Sequence, residues 1–65
     1  MKTLTDQEQI IIINVDNELN GISNSEKKFI INLVRTDSEF KRLVDKNINL
    51  LITKLVGITK LNREL

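Results

Sequence analysis

The amino-acid sequence predicts an all-α fold with three helices, over about residues 6–20, 24–35 and 37–62, arranged as a helical hairpin followed by a long C-terminal helix. Two observations support this. A helix-capping signal precedes each segment, and apolar residues recur at helical spacing within each segment. With 65 residues and no linker-like or repetitive stretch, the chain is expected to form a single helical domain over residues 1–65.

The first predicted helix begins at a capping box in which Thr5 and Glu8 have the T-x-x-E spacing. Gly21 supplies the left-handed residue that often ends a helix. The isoleucines of residues 10–13 favour a strand by intrinsic propensity, and a short apolar run cannot be assigned by periodicity alone. Residues 9–15 therefore have two interpretations, helix and strand. The capping box and the glycine favour the helix.

A second capping box, formed by Ser23 and Glu26, precedes the second predicted helix. Four apolar residues of this segment lie at helical spacing and form one stripe: Phe29, Ile30, Leu33 and Val34. The stripe indicates a helix that buries one side against the rest of the domain.

The third predicted helix carries a heptad-like seam and begins at a third capping signal, Thr36 and Glu39. At 100° per residue its apolar arc spans about 240°, far more than one hairpin can cover. We therefore predict a homodimer in which the two long helices pack together through one set of residues: Phe40, Val44, Ile48, Leu51, Leu55 and Ile58. Asn47, beside this seam, is interpreted as fixing the register of the pair; the alternative is an Asn at a helix end.

The composition argues against catalysis. The chain has no Cys and no His, which removes disulfides, thiolate metal sites and the commonest general base. Asp16 and Glu18 would point about 200° apart on a helix, so they do not converge as an acid–base pair. The serines lie near helix starts, where capping explains them. We expect no enzyme activity, no metal, no cofactor and no small-molecule ligand.

Charge is unevenly distributed, although the net charge is only +1. Residues 1–26 carry a local charge of −4, and residues 41–65 carry +4. Basic side chains of the second and third predicted helices are candidate contacts for an anionic partner: Lys27, Lys28, Arg35, Lys41, Arg42 and Lys46. Gly21-Ile22-Ser23 is similar to the turn of a helix-turn-helix, but Asn17 and Lys27 depart from the residue pattern of that motif.

These observations predict a small regulatory protein that binds and modulates another protein, as an inhibitor or an activator, through helical surfaces. The alternative is a dimeric DNA-binding regulator that uses the second helix or the basic third helix. Small phage and plasmid regulators share this size and composition, but no motif identifies a family. No targeting or membrane-spanning segment is apparent in the sequence, so we expect a cytoplasmic protein.

Overall fold

The computed structural model describes residues 3–65, and within them the chain is helical with no strand. The helices are α1 (Asp6–Leu19), α2 (Asn24–Thr36), α3 (Ser38–Lys46) and α4 (Ile48–Glu64). The predicted all-α class is confirmed. The predicted number of helices is wrong, because the third predicted helix is divided into α3 and α4.

The first two helix starts follow the predicted capping chemistry. The Thr5 hydroxyl accepts a hydrogen bond from the Glu8 backbone N–H at 3.1 Å, and the Glu8 carboxylate accepts from the Thr5 N–H at 2.9 Å. Ser23 and Glu26 make the same reciprocal pair. The isoleucines of residues 10–13 are helical, so the strand interpretation of residues 9–15 is excluded. Helix α1 ends at Leu19, and its C-cap residue, Asn20, has the left-handed conformation (φ 56°). Gly21 follows directly.

The third predicted capping box is not formed. Helix α2 continues to Thr36, whose hydroxyl donates to the Asn32 carbonyl at 2.7 Å. Asp37 caps α3 instead, and its carboxylate accepts from the N–H groups of Glu39 and Phe40 at 2.9 and 3.2 Å. A carboxylate is a stronger acceptor than a hydroxyl and suits the positive end of the helix, which favours Asp37 as the cap.

Asn47 interrupts the helix predicted over residues 37–62. Its backbone (φ −159°, ψ 81°) is not helical, and its side-chain oxygen accepts from the Leu50 N–H at 3.2 Å. Asn47 is therefore the N-cap of α4, and its interpretation as a register-fixing residue of a long coiled coil is wrong. Because the chain changes direction at Asn47, α4 folds back and packs against both α3 and α1.

The hydrophobic core is closed within one chain and takes residues from all four helices. Its buried members are Ile11, Ile12, Val15, Ile30, Val34, Phe40, Leu43, Leu51 and Leu55. The wide apolar arc predicted for one long helix is thus divided between α3 and α4, which meet a shared core. Thr59 is also fully buried, and its hydroxyl donates to the Leu55 carbonyl at 2.8 Å, so that this polar group is satisfied.

Candidate binding surfaces

The residues predicted for the dimer interface lie mainly inside the single chain. Phe40, Leu51 and Leu55 are buried in the core, where a second copy has no access to them. Val44, Ile48 and Ile58 are half-buried and pack against that core. Phe40, Leu51 and Leu55 of the predicted seam are therefore used within one chain, whereas Val44, Ile48 and Ile58 retain some surface for a partner.

Helix α1 exposes two isoleucines on the side that faces away from the core. Ile10 is 48% exposed and Ile13 is 58% exposed, whereas Ile11 and Val15 of the same helix are fully buried. A spacing of three residues places Ile10 and Ile13 next to each other on the helix surface. The run of isoleucines thus covers both sides of α1, and only one side is used by the fold. We call Ile10 and Ile13 the α1 apolar face.

Helix α4 exposes leucines on the side away from the core. Leu50 and Leu61 are separated by about three helical turns and lie on the same side of α4, with Leu61 60% exposed. Gly57 lies between them on this outer side of α4. Apart from its chain neighbours and the backbone of its own helix, no atom lies within 4 Å of the position that a Cβ at Gly57 would occupy, so packing within the described chain does not require a glycine here.

A groove of about 660 Å³ runs along α2 beside the segment that precedes α1. We call it the α2 groove. Its cationic residues are Lys27, Lys28 and Arg35, which are the predicted anion-contacting residues of this helix. The remaining lining residues are apolar or amide side chains: Leu4, Ile31, Asn24 and Asn32. Among the residues that the structure describes, no Asp or Glu lines this groove.

Arg35, at one end of the α2 groove, is bound to Glu8 of α1. Its Nε and Nη2 groups donate to the two carboxylate oxygens of Glu8, each at 2.8 Å. Glu8 is only 6% exposed. The hydrogen bonds from Arg35, supported by the Thr5 N–H and opposed by burial, lower the pKa of Glu8 from 4.5 to about 2. Arg35 therefore stabilises the fold, and most of its charge is compensated.

The second capping-box glutamate has the same double role. Arg63, near the end of α4, donates to the Glu26 carboxylate at 2.6 and 3.0 Å and to the Gly21 carbonyl at 2.8 Å. These bonds from Arg63, with the Ser23 N–H, lower the pKa of Glu26 from 4.5 to about 2. The end of α4 is thereby attached to the turn between α1 and α2. Neither arginine pair is predictable from the sequence, because the partners are 27 and 37 residues apart and no local spacing connects them.

The predicted cations of the third segment are separate from the α2 groove. Lys41, Arg42 and Lys46 are exposed on α3, away from the side that buries Phe40 and Leu43. Asp45 lies among them and reduces the positive charge of this surface. The six predicted anion-contacting residues thus form two groups, one in the α2 groove and one on the outer side of α3.

The described residues show no constellation that would hold a metal ion: within residues 3–65, no three Asp or Glu side chains cluster. Within the same residues, no helix has the length and hydropathy needed to cross a membrane. Comparisons with protein-family models, with curated proteins and with solved structures found no match.

Proposed function

We propose that this protein binds another protein through exposed apolar surfaces of its helices and modulates it without catalysing a reaction. The observation that carries the proposal is the α1 apolar face. The core is already closed by Ile11, Ile12 and Val15 on the other side of α1, so Ile10 and Ile13 contribute nothing to it. Burying the exposed half of one such side chain is worth about 1 kcal/mol, and the two together make this face a favourable anchor for a partner.

The mode of binding that fits this surface is a helix laid into an apolar groove of the partner. In that mode, side chains three or four residues apart enter the groove and neighbouring polar side chains form the rim. Ile10 and Ile13 have that spacing, and the exposed Gln9, Asn14 and Asn17 flank them on α1. Asp6, four residues before Ile10, and Asp16, three residues after Ile13, add acidic charge to this rim. The apolar contact itself is expected to tolerate salt.

Replacing both isoleucines of the α1 apolar face by serine is expected to abolish partner binding without unfolding the protein. The full chain, immobilised and exposed to a lysate of the cells that produce it, retains a partner protein. The Ile10→Ser/Ile13→Ser variant loses it. A control on the same helix, Glu18→Ser, replaces an exposed residue outside this face and its rim, and it retains the partner. Circular dichroism of the three proteins checks that their helix content is equal.

The proposal fails if the control and the isoleucine variant retain the same proteins in the same amounts. It also fails if the wild-type chain retains nothing above the level of an unrelated helical bait. Either result would mean that the exposed isoleucines are ordinary scattered surface residues, of which folded proteins have many.

A second copy of the chain is a further protein partner, and it would contact the outer side of α4. A glycine within a helix costs up to about 1 kcal/mol relative to alanine. No other segment of the described chain lies within 4 Å of a Cβ placed at Gly57, and we propose that a second helix packs closely at this point. Leu50 and Leu61 flank this point on the same side and supply apolar contacts for a second α4. The dimer proposed here replaces the interface predicted from the sequence.

The Gly57→Ala variant is expected to stabilise the monomer and weaken the dimer. The gain in unfolding free energy is up to about 1 kcal/mol, because alanine has the higher helix propensity and its Cβ meets no other atom. Urea unfolding at low protein concentration measures the first effect, and sedimentation velocity over a range of concentrations measures the second. Asn49→Ala, elsewhere on the same helix, serves as the control and leaves association unchanged. A Gly57→Ala protein that dimerises as well as wild type would contradict this interface.

Nucleic acid is the second candidate partner, and the exposed cations of α3 favour it. If Lys41, Arg42 and Lys46 each neutralise a phosphate, the slope of log K against log salt is about −0.9 for each contact, or roughly −3 in total. Fluorescence anisotropy of a labelled duplex at low and moderate salt measures that slope. Lys41→Glu/Lys46→Glu should then eliminate binding. No binding by the wild-type chain at low salt would remove this candidate.

A further inference from the structure

We infer that the α2 groove binds an acidic protein segment that also carries apolar side chains. The inference rests on the proposed function in that the partner is a protein, but it concerns a different surface from the α1 apolar face. It is supported by the charge of the groove, by its apolar lining and by its concave shape.

The α2 groove has two positive charges that the fold does not compensate. Neither Lys27 nor Lys28 has its ammonium group within 4.0 Å of a carboxylate in residues 3–65. The nearby Glu26 is bound to Arg63, and Glu8 is bound to Arg35. Glu26, next to Lys27 in the sequence, and Glu8, bound to the groove residue Arg35, therefore already have cationic partners. A carboxylate brought by a partner would meet both ammonium groups in a charge-assisted contact.

The same groove offers apolar surface between its polar groups. Leu4 and Ile31 are half-buried and line it alongside the lysines. Asn24 and Asn32 flank Ile31 on the same side of α2, and each amide can both donate to and accept from a peptide backbone. A partner that is acidic but has no apolar residues would leave Leu4 and Ile31 uncovered. A partner that is apolar but neutral would leave the lysines unpaired.

The shape of the groove favours a peptide over a nucleic acid. Its volume of about 660 Å³ is of the order that holds a short run of side chains, whereas a duplex is convex and contacts protruding groups. Single strands are held by stacking on aromatic rings. The only aromatic residues of the chain, Phe29 and Phe40, do not line this groove. The acidic segment is therefore the occupant that matches every lining group.

The test uses the full chain and three fluorescent probes. The first is a synthetic peptide about four helical turns long, with leucines at helical spacing and glutamates at the other positions. The second has the same glutamates but serines in place of the leucines, and the third is a DNA duplex. We expect the Leu/Glu peptide to bind in the micromolar range and about tenfold more tightly than the Ser/Glu peptide, because only the first covers the apolar lining.

Charge-reversal variants locate the binding. Lys27→Glu/Lys28→Glu is expected to weaken the Leu/Glu peptide about tenfold or more, because like charges replace both contacts. Lys54→Glu/Lys60→Glu changes the net charge by the same amount at exposed positions outside the groove, and it should change the affinity by no more than about twofold. Thermal unfolding confirms that both variants fold.

Four results would overturn the inference. They are no binding of the Leu/Glu peptide, equal binding of the Leu/Glu and Ser/Glu peptides, equal loss of affinity in the two variants, and tighter binding of the duplex that depends on Lys27 and Lys28. The α1 apolar face is unchanged in these variants. Partner capture that depends on Ile10 and Ile13 can therefore succeed while peptide binding fails, or the reverse, so the two proposals are tested separately.

Discussion

Leu55→Ala is expected to remove most of the stability of this protein. Leu55 lies in α4 and is fully buried in the core to which all four helices contribute. Truncating a buried leucine to alanine costs about 2–5 kcal/mol, since the transfer free energy of the lost atoms adds to that of the cavity. A domain of this size has a total stability of roughly 3–5 kcal/mol. The variant should therefore be largely unfolded near physiological temperature, which circular dichroism and urea titration measure.

Leu61→Ala is the matched control for this prediction, because it makes the same chemical change on the same helix. Leu61 is 60% exposed and lies on the outer side of α4, so its truncation should change the unfolding free energy by no more than about 0.5 kcal/mol. Equal destabilisation by the two substitutions would mean that α4 does not present Leu55 to the core. A sequence interpretation with one long helix in a dimer predicts a different result, because there Leu55 contacts a second chain and its effect depends on protein concentration.

The parts of the fold that the sequence predicted are those that depend on local chemistry. The capping boxes of Thr5 and Ser23 involve residues three apart, and each forms as its spacing indicates. The predicted ends of α1 and α2 lie within a residue or two of the observed ends. The four isoleucines of residues 10–13 were ambiguous on propensity alone, and the capping box before them correctly indicated a helix.

The division of the third predicted helix at Asn47 depends on tertiary packing, and no local signal required it. Asn has only a modestly lower helix propensity than its neighbours, and the residues around it include no Gly or Pro. Val44 and Ile48 are four residues apart, which suits one continuous helix as well as two helices that meet the same core. Folding back at Asn47 lets Leu51 and Leu55 join Phe40 in a core within one chain, without the entropy cost of association.

The candidate surfaces also combine features that the local sequence predicts with features that depend on packing. Lys27, Lys28 and Arg35 were identified from the sequence as one basic group, and the structure places all three in the α2 groove. That Arg35 is bound to Glu8 while the two lysines have no such partner depends on how α1 crosses α2, which no spacing reveals. The exposure of Ile10 and Ile13 likewise depends on which side of α1 the other helices cover. The candidate binding surfaces of this chain are therefore the apolar and cationic side chains that the fold leaves exposed.

Acid is expected to unfold the protein through its two capping-box glutamates. The pKa values of Glu8 and Glu26 are lowered from 4.5 to about 2, because each carboxylate is bound by an arginine and by backbone N–H groups. A group with a lowered pKa in the folded state stabilises the fold fully above its unfolded pKa, and this contribution is lost as pH falls toward its folded pKa. Thermal unfolding should therefore show a stable plateau above about pH 5 and a steep loss between about pH 4.5 and 2.

Replacing the two glutamates by glutamine separates their charge from their capping role. Glutamine still accepts from the N-cap N–H, so Glu8→Gln/Glu26→Gln keeps both capping boxes but loses both ionic contacts. The variant should be less stable than wild type at neutral pH, and its stability should change little between pH 5 and 2, so that the two profiles converge in acid. Glu18→Gln, at an exposed position of α1 and outside the three ion pairs found in residues 3–65, should retain the wild-type profile. If the double variant lost stability in acid as steeply as wild type, protonation of other groups would be responsible, and the arginine contacts of Glu8 and Glu26 would not govern the acid limit of this fold.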